Sequence, residues 1–124
     1  MEPTDAVRAF VNAINHQSAD EIAEFMTEDH VFTDSLGTAV RGRDRMRAGW
    51  ASYFQMVPDY TITIEETFSD GAVVILLGMA RGTYVGKTWS TPAAWRAKVH
   101  DDRVAEWRVY ADNEPLRQLM RTSR

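Results

Sequence analysis

Two aspartates stand where one backbone pattern gives way to another. Asp34 lies in "VFTDSLG" (31–37) and Asp112 in "EWRVYADNEPLRQLM" (106–120), and both follow short apolar runs. A carboxylate with little water around it has its charged form penalised and its pKa raised, which brings it nearer neutral pH as an acid or base. That chemistry suits removal of an acidic proton beside a carbonyl. Each acid also has a plain structural reading. Asp112 can cap the helix suggested by "NEPLRQL", and Asp34 can bond its own backbone around Ser35-Leu36-Gly37.

Other residues that can contribute chemistry are spread along the chain. His30 follows "TED" at what reads as a helix end, where a cation is favoured, yet it precedes Asp34 by four residues and can join the same site. His16 and His100 are too far apart to form a metal-ligand spacing with it, so no metal is expected. Trp50, Tyr53 and Phe54 on a helix, with Trp89 and Trp95 on one parity of a strand, can line an aromatic cavity or simply fill a core. Phe10 and Tyr110 join them as candidate substrate contacts. Arg96 and Arg108 can hold a substrate carboxylate or pair with Glu106 and Asp112. Arg41, Arg43, Arg45 and Arg47 form one local basic cluster, read as the solvated face of a helix in preference to a phosphate site.

These residues need elements to hold them. Thr4 can cap a helix whose apolar positions Val7, Phe10, Val11 and Ile14 recur at three and four residues, and "SADE" (18–21) is a capping box for a second helix through Ile22, Phe25 and Met26. "HVFTD" reads as a short strand, "SLG" turns, and "TAVRG" returns before a third helix from about Arg43 to Met56, stopped by Pro58. Four longer strands follow at 60–68, 72–85, 88–99 and 103–111. Short links at Asp70-Gly71, Gly86-Lys87 and Asp101-Asp102 make them an antiparallel meander. Pro115 suits the first turn of a closing helix whose apolar side is Leu116, Leu119 and Met120.

The order is α+β, with helices gathered on one face of a curved sheet. At 124 residues and 44% hydrophobic content the chain fits one domain, residues 1–124, with no repeat or linker. The stretch from Ala72 to Ala80 is apolar on both alternating faces. One face meets the helices and the other needs cover, which a second copy supplies most economically, so a homodimer is expected. A net charge of −4 with scattered basic residues argues against nucleic acid as a partner. The absence of cysteine removes thiol nucleophiles and sulfur-based zinc sites. No apolar run approaches a membrane span and no leader is evident, so a cytoplasmic protein without membrane association is expected.

The element order, ending in "WRVYADNEPLRQL", resembles the NTF2-like cone fold and, within it, the SnoaL-like group of polyketide cyclases, limonene epoxide hydrolase and ketosteroid isomerase. The resemblance implies three N-terminal helices packed on a strongly curved, mostly antiparallel sheet, a short C-terminal helix and a deep apolar pocket. Asp112 is similar to the acid that SnoaL-type cyclases use for proton transfer, and Asp34 to the isomerase base. Phe10 stands where the isomerase has its oxyanion-hole tyrosine, and Ala94 near its second aspartate, so steroid isomerisation by that machinery is not implied. Leu77-Gly78-Met79 replaces the Arg-x-Asp of the epoxide hydrolase. What remains is a small enzyme without cofactor, acting on an apolar, carbonyl-bearing molecule with Asp112 as acid/base and Asp34 as second acid. A non-catalytic ligand-binding or protein-interaction module is the alternative.

Overall fold

The computed structural model describes residues 2–112 and 118–121. Helix α1 (Pro3–Asn15) buries Val7, Phe10, Val11 and Ile14, the stripe the spacing predicts. It begins ahead of the expected Thr4 cap. Glu2 is the capping residue, its N–H donating to Asp5 Oδ2 at 3.0 Å, and Pro3 fits the first turn, where a missing N–H costs no hydrogen bond. In α2 (Ala19–Glu24) the Glu21 N–H donates to Ser18 Oγ at 3.1 Å, as the capping box requires. The Glu21 carboxylate turns instead to His16, Nδ1···Oε1 3.3 Å.

This second helix stops before Phe25, and β1 (Met26–Thr33) starts four residues earlier than the sequence suggests. His30 is therefore inside a strand and not at a helix end. β1 runs parallel to β6 (Arg103–Ala111), with Met26 opposite Val104 and Phe32 opposite Trp107; Glu28 and Asp29, weak strand formers, fall in the register shift between Met26 and Val31, and both stay exposed. The hairpin partner β2 (Ala39–Arg41) precedes α3 (Arg43–Met56), whose bounds match the sequence reading.

The meander is completed by β3 (Thr61–Asp70), β4 (Val73–Tyr84) and β5 (Lys87–His100). The six strands lie in the order β2-β1-β6-β5-β4-β3, antiparallel except for β1 against β6. Two-residue turns with positive φ, Val85-Gly86 and Asp101-Asp102, join β4 to β5 and β5 to β6, a geometry matched to the strand twist. Register shifts after Ile64 and after Lys98 add local bends that curl the sheet. Near the first of these, Gly78 is obligatory: a Cβ there would overlap the backbone oxygen of Thr63.

Inside the curl the core gathers Phe10, Ile14, Met26, Val74, Trp95 and Trp107. Outside it, Val73, Ile75, Leu77 and Met79 of β4 are only half-buried, and Phe68 of β3 is 54% exposed. Both faces of β4 are thus apolar, and among the described residues only the inner one is covered. At the C-terminus, residues 118–121 are helical, with Leu119 and Met120 packed against the core. Pro115 and Leu116 lie outside the described residues. No helix among the described residues is long and apolar enough to cross a membrane.

Candidate functional site

A cavity of about 500 Å³ opens between α3 and the inner sheet face, within the usual range for small-molecule sites. From α3 come Arg45, Met46, Gly49, Trp50 and Tyr53, which recur at helical spacing and so share one face. The end of β1 contributes Phe32, and the turn after it Asp34 and Ser35. Trp107, Val109 and Ala111 of β6, with Tyr60, Ala80 and Trp89, close the far side. Exposed Arg45 and Gly49 form part of the wall, so the cavity is open at that rim.

The aromatic residues make a continuous wall. Tyr53 and Tyr60 meet edge to face at 5.1 Å, Trp50 stands 6.3 Å from each, and Trp89 lies 6.1 Å from Tyr60. Burial pushes the Tyr53 hydroxyl up to about 12 and raises that of Tyr60 as well, so both remain neutral donors near pH 7. Neither hydroxyl has a hydrogen-bond partner among the described residues. The indole N–H groups of Trp50 and Trp89 are likewise buried without partners.

Among the described residues Asp34 is the one carboxylate in this lining. Its Oδ1 accepts the N–H groups of Leu36 and Thr38, each at 2.9 Å, while its backbone N–H donates to Thr38 O and its carbonyl accepts from Gly37. The turn role expected of this residue is real, but it occupies a single oxygen. Oδ2 makes no hydrogen bond among the described residues. The turn thus fixes the carboxylate through Oδ1 and leaves Oδ2 facing no hydrogen-bond donor among the described residues.

Asp112 follows directly on Ala111 of the lining, but is itself exposed and not part of that lining. Its carbonyl accepts from the buried Thr91 Oγ1 at 2.7 Å, which ties down the end of β6. The first residues of the helix it was expected to cap, 113–117, lie outside the described residues.

Of the other expected contacts, Trp50, Tyr53 and Trp89 are in the wall. Phe54 supports it from behind, stacked on Trp50 at 5.5 Å. Phe10 and Trp95 lie deeper, packed on Trp107 at 4.9 and 6.2 Å. Arg108 and Tyr110 require correction: strand alternation puts them on the opposite face of β6 from Trp107 and Val109, where the guanidinium lies 5.1 Å over the ring and Tyr110 is 47% exposed. Arg96 pairs with Glu106 at 3.5 Å, the salt bridge considered for it.

His30 is also removed from the lining. It is 0% exposed and stacked on Phe10 at 5.8 Å, and its Nδ1–H donates to Val104 O at 2.6 Å while Nε2 has no partner. Burial lowers its pKa, opposed by the Val104 hydrogen bond and the charges of Asp29 and Glu106. The folded protein therefore holds it neutral, whereas the unfolded chain takes up a proton below about pH 6.5. Stability from this group is complete above that pH and falls as pH drops toward the lowered folded value. Urea midpoints measured from pH 5 to 7.5 should rise with pH, and His30→Gln should flatten that rise; an unchanged slope contradicts the assignment.

Sequence reasoning overlooked Arg45, Tyr60, Phe32 and Trp107. The signals were present. Arg45 and Met46 precede Trp50 by five and four residues on one helix face, and Phe32 shares strand parity with Asp34. Among the described residues no cluster of three or more His, Asp or Glu is arranged to hold a metal.

Fold and cavity together define an NTF2-like cone protein. The chain belongs to the SnoaL-like family, whose domain model matches residues 7–107, a family that includes polyketide cyclases, isomerases and epoxide hydrolases. Similar solved structures include an NTF2-like protein from Burkholderia thailandensis E264 (17% identity, 97% of this chain and 98% of that one, TM-score 0.84). Another is an M. tuberculosis LEH-like epoxide hydrolase (22%, 90% and 84%, 0.82). A third, from Catenulispora acidiphila DSM 44928, has a ketosteroid isomerase-like fold and is in complex with trimethylamine (18%, 89% and 86%, 0.80). At these identities the likeness concerns the fold. No curated protein matches the chain.

Proposed function

We propose that the protein is a small acid–base enzyme that needs no cofactor, moving a proton beside the carbonyl of an apolar molecule held in the cavity. The supporting observation is Asp34, a carboxylate fixed through Oδ1 by two backbone N–H groups, with Oδ2 unengaged in an aromatic-walled cavity. In the proposed step Oδ2 takes the proton from the carbon next to the carbonyl, the electron pair of that C–H bond passes into the enolate, and the proton returns to the same carbon as the carbonyl re-forms. Neutral Tyr53 and Tyr60 are the available donors to the enolate oxygen. Asp112, one residue beyond the lining, is proposed as the second acid.

The test uses 2-tetralone, a bicyclic ketone with acidic protons between ring and carbonyl. In D2O the protein should accelerate deuterium entry at that carbon, followed by NMR. Binding without acceleration would instead identify a ligand-binding module.

The same reading includes a two-fold dimer through the outer sheet face, where Phe68, Ile75, Leu77 and Met79 form the apolar patch. Sedimentation at micromolar concentration should show twice the 14.1 kDa of one chain; a stable single-chain species sinks the dimer.

A further inference from the structure

The basic cluster at the β2–α3 junction is only partly accounted for by ion pairs. Arg47 lies 3.4 Å from Asp44 and 4.0 Å from Asp20. Arg45 is different. It belongs to the cavity lining, and no carboxylate lies within 4.0 Å of its guanidinium among the described residues. Asp34 shares the lining but does not pair with it, and one Asp34 oxygen is already committed to the turn. Among the described residues the cavity therefore presents one unneutralised cation at its open rim, beside an apolar well built from Trp50, Tyr53, Tyr60 and Trp89.

We infer that the natural ligand is an amphipathic anion: an apolar ring system that fills the aromatic well and carries a carboxylate paired with Arg45. This rests on the reading of the cavity as a small-molecule site and narrows its substrate class. The guanidinium is the side chain best shaped for a carboxylate, which it meets with two parallel N–H···O bonds. Arg41 and Arg43 stand close in sequence and add local positive potential in a chain of net charge −4, so an anion is drawn to this rim and not to the surface at large. A cationic ligand is disfavoured by the same charges. The aromatic rings, in contact with one another at 5.1 to 6.3 Å, form a wall rather than a cage around an ammonium group. Asp34 and Arg45 set the two ends of the ligand: the carbonyl side meets the carboxylate, and the charged group stays at the rim.

The experiment compares three probes of nearly equal size, 2-naphthoate, neutral 2-acetylnaphthalene and a naphthylmethyl-trimethylammonium ion. Each is titrated into the 15N-labelled full chain while the indole N–H resonances of Trp50 and Trp89 are followed. Naphthoate should bind most tightly. Arg45→Gln should weaken it about five- to tenfold, the range of a partly exposed charge-assisted pair, and leave acetylnaphthalene unchanged. Arg45→Lys should recover part of the loss, and added salt should weaken naphthoate alone. Equal effects of Arg45→Gln on both probes, or tightest binding by the ammonium ion, overturn the anion assignment while keeping the cavity as a ligand site. If no probe moves the two indole resonances, the cavity reading falls and this inference falls with it.

Discussion

Asp34→Asn is expected to lower catalysed proton exchange by about 10²–10⁴ with little change in fold or ligand affinity. The asparagine side-chain oxygen can still accept from Leu36 and Thr38 N–H, so the turn that Oδ1 holds at 2.9 Å survives. What disappears is the oxygen that accepts a proton. The controls are a thermal midpoint and a probe affinity close to those of the wild type, because Asn is a good turn residue and the aromatic wall is untouched. A large fall in midpoint would mean that the charge of Asp34 holds the turn, and the loss of rate would then have a structural cause.

The second large effect concerns Trp107, which is 1% exposed and joins core to cavity. It packs on Phe10 at 4.9 Å and Trp95 at 6.2 Å and supplies part of the cavity wall. Trp107→Ala should cost about 3–5 kcal/mol, as large-to-small changes at buried aromatics do. Against a typical stability of about 5–15 kcal/mol that is enough to unfold much of the population near physiological temperature. Trp107→Phe should recover most of the loss. Chemical denaturation of both variants checks this, and a midpoint for the alanine variant close to wild type contradicts the packing described.

Much of the architecture was legible because its signals are local. The Arg43–Met56 helix and the Arg103–Ala111 strand have the bounds their periodicities predict, since one face of each repeats at its own period. The start of β1 was not legible. Glu28 and Asp29 are poor strand formers, and they fall in an irregular stretch between Met26 and Val31, the points on either side of it where β1 meets its parallel partner β6, more than seventy residues away. That error carried His30 to a helix end when it is a buried strand residue on Phe10.

Within the site, Asp34, Trp50, Tyr53 and Trp89 could be picked out by residue type and neighbourhood. Arg108 and Tyr110 are candidates by their chemistry alone, and alternation with Trp107 and Val109 puts them on the other face. Arg45 reads in the sequence like its solvated neighbours Arg41, Arg43 and Arg47. A helix face is shared by residues four apart, and counting back from Gly49 and Trp50 reaches Arg45 and Met46. Which side of α3 faces the cavity depends on the packing of the whole cone, and a single helix does not carry that information.

The central claim is that Asp34 performs the proton transfer. Its most direct measurement is the rate of deuterium entry into 2-tetralone at saturating ketone for wild type, Asp34→Asn and Asp112→Asn. A loss of about 10²–10⁴ is expected for Asp34→Asn and a smaller loss for Asp112→Asn, whose side chain belongs to an exposed residue outside the lining. Wild-type exchange in Asp34→Asn with the ketone bound in the cavity, or the full loss in Asp112→Asn alone, contradicts it.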